Sequence, residues 1–159
     1  MLLGLCLTRS ILDYRPVAFL KSWGPYAKLT AVSGRSMYVR VLEGPCVGVS
    51  REVALSLYPY YGWGRMEIEA EFGVEPANPP KAVRAVMRVP FGISEAVVRR
   101  QLEGFPLYEG SVALEYLEHV EFGEVVHVEP HPGAVLVHET RLRLVEIPVE
   151  DDAVVFRIG

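Results

Sequence analysis

The sequence predicts a mainly β protein with short helices, built as two small barrels joined by a linker. Three observations carry this. Short apolar or alternating runs recur between Gly, Pro and Ser along the whole chain. Helical spacing behind a good N-cap residue occurs in few places. One proline cluster, GVEPANPP at 73–80, divides the chain near its middle. Many short strands with few helices favour barrels over a parallel sheet.

The elements follow in order. MLLGLCLTRS has no basic residue before its apolar run, is too short to span a membrane and lacks a cleavage signal; it reads as a first strand. PVAFLKSW, YAKLTAV and SMYVRVLE are further strands, with Val39 and Val41 alternating against Tyr38 and Arg40. CVGVS is a brief strand. Ser50 then caps a helix over REVALSLYPYYG, with Val53, Leu57 and Tyr60 on one face, Pro59 ending or kinking it and Gly62 closing it. RMEIEAEF alternates strictly, placing Met66, Ile68, Ala70 and Phe72 inward and Glu67, Glu69 and Glu71 outward. The first unit is therefore 1–75, the linker 76–80 and the second unit 81–159. KAVRAVMRVP opens the second unit as a strand with Val83 and Val89 buried. Ser94 caps SEAVVRRQLE, whose Val98 and Leu102 face the core while Arg99, Arg100 and Glu103 face water. Gly104 and Pro106 end it. Strands are expected at about 111–120, 123–129, 134–138, 141–147 and 153–158.

Composition bounds the function. The chain has 159 residues, 50% hydrophobic and 23% charged, which suits a globular fold. A net charge of −4 supplies no overall positive field for wrapping nucleic acid, so nucleic acid is not an expected partner. Neither is a membrane. Asn78 and Gln101 are the only side-chain amides, which suggests a hot habitat. Cys6 and Cys46 lie in apolar runs; one disulfide is conceivable, and two buried thiols in a reducing cytoplasm are the default expectation.

The candidate chemistry is sparse. His119, His127, His131 and His138 fall close together beside Glu129 and Glu139. A zinc site needs three or four converging ligands, and Pro130 breaks the helical spacing that would bring His127 and His131 together. No metal and no other cofactor is expected. Gly110–Ser111 is the pair that self-cleaves in pyruvoyl enzymes, but it is too common a dipeptide to carry weight. The glutamates of EIEAE read as a solvated strand face. SGRS at 33–36 lacks the lysine and following helix of a phosphate loop. No catalytic residue is assigned. YPYYGW at 58–63 holds more aromatic and proline residues than a helix end can bury. Tyr60, Tyr61 and Trp63 are therefore candidates for an exposed protein-binding patch. Phe105 is a second apolar residue at an expected surface tip.

Residues 80–148 carry a family resemblance. A strand ends in Val89–Pro90. VRRQLEGFPLYEGS (98–111) matches a helix and its turn, Val126-His127-Val128-Glu129-Pro130 a following strand, and His138–Val145 the closing one. In order and spacing this resembles the second part of the N-domain of valosin-containing protein and its archaeal relatives among AAA ATPases. It also resembles the ubiquitin fusion degradation protein, a cofactor with the same two-part domain. Ser111 departs from the family's usual aspartate. The run from CVGVS to GVEP is similar to the end of the family's first barrel, whereas residues 1–44 agree only in strand content. The resemblance implies a double-psi β-barrel followed by a small four-stranded β-barrel. It implies a non-enzymatic module, without an ATPase domain, that recruits or holds substrates or cofactors for an AAA unfoldase. The implied partners are an AAA ATPase, a ubiquitin-like domain or an unfolded substrate. By position, Gly104 and Phe105 lie at the edge of the groove between the barrels and 76–80 at its floor or rim. The rival expectation is an enzyme on a double-psi barrel, metal-dependent through His119–His138.

Overall fold

Period-two alternation builds the first sheet. In the computed structural model, which describes residues 1–63 and 68–147, β3 (Tyr26–Ala31) points Ala27, Leu29 and Ala31 inward. Its neighbour β4 (Ser36–Leu42) does the same with Met37 and Val39. These two form a hairpin, and β6 (Glu69–Pro76) joins the other edge of β3 with Ala70 and Phe72 buried. β1 (Leu2–Gly4) pairs with β6; β2 (Val17–Phe19) lies parallel to β4 and antiparallel to β5 (Gly48–Val49). The resulting order is β1-β6-β3-β4-β2-β5. A bridge from Leu5 to Val49, with Cys6 N donating to Val49 O at 2.8 Å, brings the two outer strands together. The sheet is thus nearly closed. That closure requires Gly48, where an added Cβ would lie 2.4 Å from Gly4 O.

Helix α1 (Arg51–Leu57) covers one end of this barrel, burying Val53, Ala54 and Leu57. Ser50 Oγ accepts from Val53 N and donates to Arg15 O at 2.6 Å, so one hydroxyl both caps the helix and anchors the chain before β2. The helix stops at Tyr58, because the residue before a proline is driven out of helical conformation. Tyr60 therefore does not share a face with Val53 and Leu57; it is 98% exposed. A 3-10 turn, Ile11–Tyr14, precedes β2 and has no clear signature in the sequence.

The second sheet has the order β10-β7-β9-β8. β7 (Arg84–Pro90) pairs in parallel with β10 (Arg141–Ile147) and antiparallel with β9 (His119–Glu129), which pairs with β8 (Gly110–Tyr116). Helix α2 (Glu95–Leu102), capped by Ser94, packs Val98 and Leu102 onto Met87, Leu114 and Leu136. The predicted fold class therefore stands: mainly β, a barrel-like six-stranded sheet and a separate four-stranded one. No helix is long and apolar enough to cross a membrane among the described residues.

Several expectations change. Cys6 and Cys46 are bonded, with Cα atoms 5.8 Å apart, not two buried thiols. Closure at Leu5 and Val49 carries Cys6 alongside the segment that leads into β5, and Cys46 lies three residues before Val49. Cys6 is buried and Cys46 exposed. β6 continues to Pro76, so the first sheet reaches into the expected linker. Val83 is 62% exposed because the chain bends there and β7 starts at Arg84. Of the expected strand 134–138, residues 134–136 are buried, but only Val135 makes bridges, to Lys81 and Pro106, and His138 is exposed in a turn. Pro80 and Pro106 border this segment, and neither has an N–H with which to extend a ladder. Arg99 does not simply face water: its guanidinium donates to the carbonyls of Val137, His138 and Thr140. Met66, Glu67 and the expected strand 153–158 lie outside the described residues.

Candidate interdomain binding site

The two sheets meet through a tongue at residues 104–108, which follows α2. Gly104 has φ +88 and ends the helix; Leu107 N donates to Ala134 O and Leu136 N to Phe105 O, so the tongue is stitched to its own half. It also reaches the first half at three points. Tyr26 Oη donates to Gly104 O at 2.8 Å, and Arg40 lies 5.1 Å over the Tyr26 ring and donates to the same hydroxyl. Phe105 packs against Cys6, Val17 and Phe19. Tyr108 Oη accepts from Tyr38 N at 2.6 Å. Beyond the tongue, Tyr14 meets Phe122 edge to face, with ring centroids 5.9 Å apart.

Gly104 thus sits at an edge shared by both halves, beneath Tyr26 and Arg40. Phe105 is half-buried between them, not at a surface tip. The reason lies in Val17 and Phe19, which leave an apolar face of the first barrel for it to cover.

Burial pushes the Tyr108 phenol up to about 12, against the milder opposing effect of its bond to the Tyr38 backbone. A phenol whose pKa rises on folding stabilises the fold below its ordinary pKa of 10.0, and that contribution is lost as the pH climbs to about 12. Tyr108→Phe should cost about 1–2 kcal/mol, since Tyr38 N loses its acceptor. It should also flatten part of the alkaline loss of stability. Urea unfolding of both proteins at about pH 9 and pH 11 measures both effects.

The aromatic candidates lie elsewhere. Tyr58, Tyr61 and Trp63 pack together with tilted and edge-to-face rings, and Tyr58 is edge-on to Phe72 at 5.3 Å. Tyr61 donates to Glu69 O, Trp63 to Tyr58 O, and Tyr58 to Glu71 O. Trp63 is half-buried against the barrel core, and Tyr61 is 43% exposed. Tyr60 projects from this base. α1 separates this cluster from the tongue: Glu52 shares a cavity with Phe105, while Tyr58 and Tyr60 line a different surface pocket with Arg35. Phe105 and the aromatics, all candidates for partner contact from the sequence, are thus not brought together.

The histidines are exposed along the second sheet and its turns. His127 Nε2 is 3.1 Å from Glu129 and its Nδ1 3.9 Å from Glu109. A hydrogen bond from Arg84 holds the Glu129 carboxyl below its ordinary range, with His127 assisting. His131 bonds the carbonyl of Pro132. Among the described residues, no three His, Cys, Asp or Glu side chains converge as metal ligands would. Gly110 and Ser111 begin β8, paired with Val125 and Glu124. A scan against protein-family models gives no match, and a search of curated proteins gives none either.

Proposed function

We propose that this chain is a protein-binding module that performs no reaction of its own and recruits or holds protein substrates or cofactors for an AAA unfoldase. The observation that carries this reading is the order of the parts. A barrel-like six-stranded sheet is followed by a proline-rich crossing and a four-stranded sheet, which is the sequence of parts the 80–148 resemblance implies. Exposed aromatic side chains on a fixed base suit the same role, because they bring apolar area without much conformational entropy to lose. Tyr60 and Tyr61 then serve as anchors, and the edge at Gly104, Tyr26 and Arg40 is a second, separate and more polar place for contact.

The test is an anisotropy titration of the labelled chain with a purified AAA hexamer, a ubiquitin-like domain and an unfolded client. Saturable binding to one of them with Kd on the order of micromolar is expected. Replacing Tyr60 and Tyr61 together by Ala should weaken it about tenfold. Absence of binding to all three, or binding indifferent to those replacements and to Gly104→Arg, would remove the reading.

A further inference from the structure

A buried cation with no bonding partner among the described residues lies between the two halves. Arg15 is 1% exposed, and none of its three guanidinium nitrogens has an acceptor within hydrogen-bond reach among the described residues. Its backbone is firmly held: Arg15 N donates to Leu12 O, and Arg15 O accepts from Ser50 Oγ. Its five N–H donors are thus unpaired among the described residues. Glu52 of α1 and Glu115 of β8 are near enough to favour the charge, yet neither carboxylate comes within 4.0 Å. Burial lowers the Arg15 pKa to about 10, so the group is still a cation at neutral pH. Such a charge is strongly unfavourable in a protein interior unless something supplies acceptors.

Arg15 lines a cavity of about 30 Å³ that it shares with Glu52, Leu102, Phe105, Ser111 and Val125. We propose that this cavity binds a carboxylate group, with the Arg15 guanidinium as its cationic partner.

Size and shape select the ligand. The room is about twice what a single water needs. Because the guanidinium nitrogens are covered as they stand, the side chain turns toward the cavity to pair, and the room then suits the two oxygens of a carboxylate better than the four of sulfate or phosphate. A planar guanidinium matches a carboxylate edge to edge through two parallel N–H···O bonds. Leu102, Phe105 and Val125 supply an apolar part of the wall, which strengthens the pairing. Tyr14 and Ser111 are the exposed residues of the lining, so the way in lies past them. Glu52 is the competitor already present, and burial raises its carboxyl above its ordinary range despite the attraction of Arg15. No residue of 76–80 lines this cavity, so it is separate from a groove floored by the linker. The inference does not depend on the protein-binding reading. A free carboxylate ion and an acidic side chain of a peptide offer the same group.

Thermal unfolding of the full chain in sodium formate or acetate, exchanged for chloride at constant ionic strength, tests this. A saturable rise in Tm of about 3 °C is expected at ten times the Kd, with no comparable rise in sulfate. Arg15→Met should abolish the response. Glu52→Gln removes the competing charge and should tighten carboxylate binding at least about threefold, which keeps the test decisive if Arg15→Met fails to fold. An acetylated Gly-Glu-Gly amide distinguishes the sources: binding tighter than acetate assigns the site to a peptide carboxylate, and weaker binding assigns it to a free ion. No carboxylate response in the wild type, an equal response in sulfate, an unchanged response in Arg15→Met, or unchanged affinity in Glu52→Gln would each overturn the proposal.

Discussion

Reducing the Cys6–Cys46 bond should cost about 4 kcal/mol of stability, the entropy that a cross-link spanning roughly 40 residues removes from the unfolded chain. The bond ties the chain beyond β1 to the segment entering β5, where the first barrel closes through one bridge and a few hydrogen bonds. The loss should therefore fall mainly on the first half. Urea unfolding with and without a phosphine reductant, and of Cys46→Ala, measures it. Both treatments should give the same lowered midpoint, and equal midpoints with and without reductant would show that the bond contributes nothing. Cys46 is exposed and Cys6 buried, so a thiolate attacks at Cys46 and the Cys6 thiolate leaves. A bonded pair sits poorly with the reducing cytoplasm expected from the sequence.

Much of the fold was legible because alternation survives in the strands that face a core on one side. Val39 in β4 and Ala70 and Phe72 in β6 are buried where period two places them. Ser50 and Ser94 cap helices as read. What was missed depends on partners distant in sequence. The β8–β9 turn falls at Leu117 and Glu118, both with positive φ. Neither residue type announces such a turn as Asn-Gly would, so the break was expected several residues later. Arg99 looked like a solvent-facing helix residue, yet the carbonyls of 137–140 come within its reach only after β10 has paired with β7. The candidate site was less legible still. Phe105 was placed by its local turn, which ends in Gly and Pro as surface turns do; the apolar face at Val17 and Phe19 that covers it lies some 85 residues earlier in the chain. Arg15 carried no signal, since an arginine before a proline usually faces solvent.

Phe105→Ala separates a packing role from a surface-anchor role. Half-buried against Cys6, Val17 and Phe19, the ring should be worth about 2 kcal/mol, below the range for a fully buried phenylalanine. Phe105→Leu should recover more than half of that, because it keeps most of the apolar volume between the halves. Tyr60→Ala is the contrast: at 98% exposure it should change stability by less than about 0.5 kcal/mol. Urea midpoints of the three variants give the comparison directly. A Phe105→Ala protein as stable as wild type would mean that the Phe105 ring does not hold the two halves together, and that the tongue's bonds Tyr26–Gly104 and Tyr38–Tyr108 suffice to join them. A destabilised Phe105→Ala protein in which partner binding also falls would be ambiguous by itself. Phe105→Leu resolves it, because a leucine that restores stability and not binding leaves the aromatic ring as a contact, whereas one that restores both leaves it as the packing that sets the angle between the two halves.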